Sequence, residues 1–244
     1  MTKLFHLKSH TARASRHNDT VVLSMDEKTG IQALERTTAD LLPQKGKHRR
    51  REFNYIRHGT QVLLASTDLS SGKVYAQVRQ QRTEQDTVEY MQYVFDQIEH
   101  DKSIIVIADQ LNTYKSESMV RLVHQYNGEE FYLGEKGKSG TLKNMKTRME
   151  YLEADDFERR IRFVFTPKHC SWLNVIETFF ATLSKRILQF GDFSSTEDLK
   201  CKIEKYIDYH NEQFAKKYNC KVVNDHQIKE ILGKVMKSRT KLTG

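Results

Sequence analysis

The chain has 244 residues, with 40 Lys and Arg against 32 Asp and Glu and a formal net charge of +8. That length suits one large domain, or one domain with appendages, able to bury a core without disulfide or metal staples. No run approaches the roughly 18 to 20 apolar residues of a membrane span, and no apolar signal-peptide core opens the chain. A soluble intracellular protein with no membrane partner is therefore expected. The cationic excess suggests a polyanionic partner, nucleic acid first, against the plainer alternative of a merely basic surface. Cys170, Cys201 and Cys220 form no close pair, so they read as reduced and mostly packed thiols.

Val21–Met25 is a short apolar run stopped by Asp26-Glu27-Lys28, which predicts a buried strand. Gln61–Asp68 predicts a second strand. A turn at Ser70–Lys73 leads into a third, where Val74, Ala76 and Val78 alternate with polar residues. Val88, Met91, Phe95 and Ile98 recur at helical spacing over Gln85–His100. Ile104–Ala108 is a buried strand by composition and ends at Asp109. A helix through Met119, Leu122, Val123 and Tyr126 follows, then a strand at Arg162–Phe165. Two further helices are marked by Ile176, Phe179, Phe180, Leu183 and Ile187, and by Leu199, Ile203, Tyr206, Ile207 and His210. Ser195 or Thr196 is the expected cap of the second. Three hairpin-linked strands followed by strands alternating with helices imply an α/β fold, a mixed five-stranded sheet flanked by helices, in the ribonuclease H-like order.

In that order the strands ending on Asp26 and Asp109 are central neighbours, and Glu177 lies on the helix after the last strand, one position beyond apolar Ile176 at the border of the buried face. Three converging carboxylates suit hard, oxygen-seeking Mg²⁺. A pair of ions held roughly 3.5 to 4 Å apart stabilises both the attacking and the leaving oxygen of a phosphoryl displacement. Singly, an Asp after a strand is most often a turn former or helix cap, and a lone Glu on a helix is most often solvated. The weight lies in all three occupying the expected stations.

The text around the acids is specific. Ser24-Met25-Asp26-Glu27-Lys28-Thr29-Gly30 and the residues to Arg36 resemble the first catalytic block of bacterial insertion-sequence transposases of the mariner-type superfamily, in the insertion-sequence family numbered six-thirty. Tyr55–Thr60 resembles a second block, Ile105–Lys115 the second aspartate block, and Thr166-Pro167-Lys168-His169-Cys170-Ser171-Trp172-Leu173-Asn174-Val175-Ile176-Glu177 the third. The resemblance implies a DDE transposase with Asp26, Asp109 and Glu177 as catalytic metal ligands. It also implies two Mg²⁺ ions (Mn²⁺ as a substitute), cleavage at element ends and transfer of a 3′-hydroxyl to target DNA at TA. By the same resemblance the protein works as a homodimer or larger assembly on DNA, in a bacterial cytoplasm in association with the nucleoid.

The sequence departs from the family pattern in three ways. Gln110 stands where an Asn is usual, and Tyr114 where a His is. Glu177 follows Asp109 by 68 residues, longer than the superfamily's gap, and the surplus reads as an inserted loop and helix carrying Gly134-Glu135-Lys136-Gly137-Lys138-Ser139-Gly140. The helix-turn-helix region that precedes the first block in the family has no counterpart here. The chain thus reads as the second product of a split element served by a separate end-recognition chain, as a trimmed piece, or as a domesticated remnant. The expected organisation is an extension over 1–20, the catalytic domain over 21–212 with the insertion at about 128–160, and a basic tail over 213–244.

DNA contacts are expected from Lys28, from Arg49, Arg50 and Arg51 in the basic run, and from Arg57 and His58, which fall between the first two predicted strands. Lys136 and Lys138 in the insertion, and Lys168 and His169 ahead of the last acid, are further candidates; solvated basic loops are the plainer alternative. Asn174, three residues before Glu177, is expected to orient it or touch substrate. Trp172 reads as core, and His124 and His210 as packing or surface residues. Two other functions use the same text: a ribonuclease H-like nuclease that cuts without joining, and a DNA-binding remnant without activity.

Overall fold

The structure, a computed structural model, describes residues 20–38, 45–46, 54–154, 159–167 and 174–218. Five strands make one mixed sheet: β1 (Thr20–Arg36), β2 (Tyr55–Asp68), β3 (Val74–Arg79), β4 (Ser103–Ala108) and β5 (Ile161–Phe165). Their order across the sheet is β3-β2-β1-β4-β5. β1 pairs antiparallel with β2, and β2 with β3, while β4 runs parallel to β1 on one side and to β5 on the other. Hairpins that stack three strands, then helical crossovers that add parallel ones, give the ribonuclease H-like α/β fold.

Among the described residues five α-helices cover the sheet: α1 (Glu84–Asp96), α2 (Glu117–Tyr126), α3 (Met145–Leu152), α4 (Ile176–Leu183) and α5 (Thr196–Gln213). One face carries Leu23, Met25, Leu64, Ile104, Val106, Phe163 and Phe165 against Tyr90, Met91, Phe95, Met119 and Val123 of α1 and α2. The other carries Ile31, Ala33, Leu63, Ala65, Val74 and Val78 against Ile176, Phe179, Phe180 and Leu183 of α4 and Leu199, Ile203 and Tyr206 of α5. Each fully buried side chain of this size contributes on the order of 1.5–3 kcal/mol. Thr83 caps α1 with a reciprocal box to Asp86, and Ser195, one of the two expected caps, accepts from the Asp198 N–H at the start of α5.

Four sequence expectations need correction. β1 does not stop at Asp26. Its second half pairs with β2 from Ile31↔Gln61 to Arg36↔Tyr55, with register shifts between Lys28 and Ile31 and between Ala33 and Leu34. Charged residues are tolerated there because the partner strand satisfies the backbone while only Ile31 and Ala33 turn into the core. Lys28 consequently lies within β1, and Arg57 and His58 lie within β2 rather than in a connecting loop. α4 does not run evenly to Ile187; after Leu183 the chain widens into a π-helical turn over Ser184–Leu188. Cys201 is exposed rather than packed, because Leu199, Ile203, Tyr206 and Ile207 make the buried stripe of α5 and position 201 falls outside it. Cys170, Cys220 and Trp172 lie outside the described residues.

Candidate active site

Side-chain alternation decides where the acids lie. On β1, Leu23 and Met25 face α1 and α2, so Ser24 and Asp26 face the opposite way. On β4, Ile104, Val106 and Ala108 face α1 and α2, while Ile105 and Ile107 share a cluster with Val22 on the other side. The last parallel pair is Ser24↔Ile107. Asp26 and Asp109 are each two residues further along, on the face that α4 covers. α4 begins at Ile176, so Glu177 stands in its first turn.

Asp26 is 6% exposed. Its Oδ1 accepts from the Glu27 N–H at 2.8 Å and its Oδ2 from Asn174 Nδ2 at 3.1 Å. Burial, followed by the charges of Asp109 and Glu177, pushes its carboxyl up from 3.8 to about 7, although the Glu27 and Asn174 hydrogen bonds pull the other way. Asp109 is partly buried, with its Oδ1 accepting from the Leu111 N–H at 2.9 Å, whereas Glu177 is exposed. Among the described residues no three His, Cys, Asp or Glu side chains already stand at ligating distance of one point. The donor set is nonetheless all oxygen, which suits hard divalent cations, and the repulsion that raises Asp26 is what a cation would relieve.

Asn174 meets Glu177 through its backbone carbonyl, which accepts from the Glu177 N–H at 3.2 Å, while its side chain turns elsewhere. It precedes α4, is buried, and its amide addresses Asp26. Its Nδ2 also donates to Met25 O at 2.6 Å, and its Oδ1 accepts from Ser24 Oγ. Ser24 Oγ in turn accepts from the Ile176 N–H at 3.2 Å. This chain of bonds pins the start of α4 to β1 across some 150 positions of sequence, and so joins the element holding Glu177 to the one holding Asp26. Ser24 was missed in the sequence; a lone hydroxyl in an apolar strand two residues before Asp26 was its signal.

On the opposite face, Glu27 has a side chain only 4% exposed and is ion-paired to Arg82. Tyr114 is wholly buried, its hydroxyl bonded to no described residue, and burial together with Asp26, Glu27 and Asp109 drives its pKa well up. Gln110 donates to Thr166 O at 3.0 Å, tying the Asp109 loop to the exit of β5.

The predicted DNA-contacting residues are scattered. Lys28 is half-buried on β1, and Arg57 is exposed on β2. His58 Nε2 lies 2.6 Å from Glu35. Lys136 and Lys138 project from the insertion, paired with Glu117 at 3.6 Å and Glu135 at 2.8 Å. Arg49, Arg50, Arg51, Lys168 and His169 lie outside the described residues. His124 packs edge-on against Phe131, and His210 against Phe179, each at 5.0 Å.

The fold recurs in solved structures. The Mos1 strand transfer complex superposes with a TM-score of 0.53 at 12% identity, over 85% of this chain and 52% of that one. The Mos1 mariner paired end complex with Mn gives 0.53 and 12%, over 85% and 53%. The Mos1 transposase paired-end complex with left transposon end gives 0.50 and 13%, again over 85% and 53%. The chain thus spans about half the length of the solved chains it resembles, and at this identity the likeness speaks for the fold alone. No curated protein matches it. A sequence profile of the DDE superfamily endonucleases matches residues 21–200, most of the chain, and the chain accordingly belongs to that family.

Proposed function

We propose that the chain is the catalytic part of a DNA transposase, cutting at element ends and joining the freed 3′-hydroxyl to target DNA. The observation that supports this reading is geometric: Asp26 and Asp109 each lie two residues beyond the Ser24↔Ile107 pair of adjacent strands, and Glu177 lies in the first turn of a helix whose start is hydrogen-bonded to Ser24. Bound divalent cations, Mg²⁺ or Mn²⁺ and two in number on this reading, would supply charge stabilisation to the attacking and leaving oxygens. Asp26 and Asp109 would hold them from adjacent strands. Glu177, exposed at the start of α4, would close the set from the third side. Asn174 would keep Asp26 Oδ2 oriented from behind while the buried wall of β1 and α4 keeps water from that side. Lys28 and Arg57 would meet phosphates along the β1–β2 ribbon.

The paired-end and strand transfer assemblies named for Mos1 support DNA as the partner and assembly in more than one copy. TA as target follows from the resemblance to insertion-sequence transposases. A nuclease that cuts without joining is the second reading, favoured by the family's description as endonucleases. Incubation of a plasmid with pre-cut element-end DNA and Mg²⁺ or Mn²⁺ separates the two. Joined products from the wild type, lost in Asp109→Ala, are expected. Nicks without joining, from protein supplied with an end-recognition chain, would replace the transposase by the nuclease.

A further inference from the structure

The stretch between α2 and α3 holds a second, differently built surface. Tyr132 is 77% exposed and makes no hydrogen bond or ring contact with a described residue, and Phe131 beside it is 48% exposed. A cleft of about 710 Å³ is lined by these rings, by the basic Arg121, His124, Lys136 and Lys138, and by the acidic Glu130 and Glu135. Phe131 is locked as its floor. It stands edge-on to His124 at 5.0 Å and to Tyr151 at 6.1 Å, while its carbonyl meets His124 Nε2 at 3.0 Å. Tyr132 has no such anchor, and an exposed aromatic with no internal partner is a surface in search of one.

The basic turn beside it is preformed. At Gly134 (φ +90°) a Cβ would sit 2.2 Å from Ser139 O, and at Gly140 (φ +62°) 2.6 Å from Leu133 O, so only glycine lets the backbone close there. Glu135 N–H donates to Ser139 O at 3.2 Å and Leu142 N–H to Leu133 O at 3.1 Å, which presents Lys136 and Lys138 at the tip. Lys136 reaches Glu117 in the first turn of α2 at 3.6 Å. β3 and β4 run in the same direction as β1, so the helices that follow them start at the end of the sheet where Asp26 and Asp109 lie. The cleft therefore leads away from the acids along α2.

We propose that this cleft binds an unpaired DNA strand, with one base stacked on Tyr132 and the adjoining phosphates held by Lys136, Lys138 and Arg121. Stacking on an exposed ring needs a free base face, which a duplex does not offer. The cations complement a sugar-phosphate chain; the Lys138–Glu135 pair is exposed and weak, and Lys136 and Arg121 meet a part-buried Glu117 with their own ends in solvent, so all three can turn to phosphate. The proposal rests on the DNA-processing reading for its polymer and goes beyond it in assigning a single-strand site to the insertion.

The test is fluorescence anisotropy of the full chain in a metal chelator at fixed salt. The probes are a labelled oligothymidylate of about 12 nucleotides and a duplex of the same length, within the site sizes of single-strand binders. The wild type is expected to favour the single strand. Tyr132→Ala should weaken that binding at least about fivefold, and Tyr132→Trp should restore it. Changing Lys136 and Lys138 together to Ala should flatten the slope of log K against log salt by about 1.4. Equal binding by wild type and Tyr132→Ala, or a preference for duplex insensitive to Tyr132, overturns the proposal. Because no metal is present, that failure is separate from strand transfer: joined products alongside a silent Tyr132 sink the cleft alone, whereas loss of both sinks the transposase reading too.

Discussion

The acid end of the sheet and the insertion turn hold their polar groups in opposite ways. At the acid end, Ser24, Asp26 and Asn174 are buried and each is tied to another by a side-chain hydrogen bond, so the charge sits where water cannot relax it. In the insertion, Lys136, Lys138 and Tyr132 stand in solvent, and it is the glycine-closed backbone that is rigid. A metal site needs fixed carboxylates whose mutual repulsion waits to be relieved. A polymer site does better with exposed side chains that swap partners at little cost.

The contrast also runs within the acid triad, since Asp26 is buried and Glu177 exposed, and substitutions can break it. The largest expected effect is on activity. Glu177→Gln should cost more than the roughly 10- to 100-fold typical of an outer partner of a metal site, yet leave stability within about 0.5 kcal/mol because the side chain is exposed. Strand transfer and urea denaturation measure the two; a large loss of stability would show that Glu177 is part of the core after all.

Asp26→Asn should do the reverse to stability. A carboxyl raised from 3.8 to about 7 binds its proton more tightly in the folded protein than in the unfolded one. Wild-type stability therefore falls as pH rises from about 4 to about 7 and levels off above. The Asn variant lacks this fall, so in chelator it should match wild type near pH 4 and exceed it above pH 7 by up to about 4 kcal/mol. Thermal melts across that range would read a gap growing with pH, and a flat difference would mean that Asp26 is not strained by its surroundings.

Asn174→Ala removes the donor to Asp26 and Met25 and should cost about 1–3 kcal/mol, with roughly 10- to 100-fold weaker Mn²⁺ binding by calorimetry. Stability loss with unaltered metal affinity would reduce Asn174 to a strut. The smallest effect is Ser24→Ala, which unties Ile176 N–H from β1 for about 1 kcal/mol. Added to Asn174→Ala, it should give less than the sum of the two, since both belong to one network.

Much of the site was legible before the structure. Asp26 and Asp109 each close an apolar run, and Glu177 sits at the border of the apolar face of a periodic helix, all local patterns. The side-chain partner of Asn174 was not legible. Helical spacing linked it to Glu177, but it lies ahead of α4, where its amide meets a strand some 150 residues earlier. The insertion's Lys-Gly-Lys stretch read as a basic inserted loop; the aromatic contacts that His124 and Tyr151 make with Phe131 come from α2 and α3.

What the sequence determined by itself was what depends on near neighbours: apolar runs that become strands, 3.6-residue periodicity that becomes helix faces, and a Ser ahead of an acidic turn that becomes a cap. Tertiary structure alone decided that β1 continues ten residues past Asp26 and that the Asn174 side chain meets Asp26. Those outcomes turn on whether a backbone group or side chain finds a partner on a distant element. β1 runs on because β2 pairs with its second half and because α4 and α5 cover Ile31 and Ala33, neither of which residues 27–36 reveal on their own.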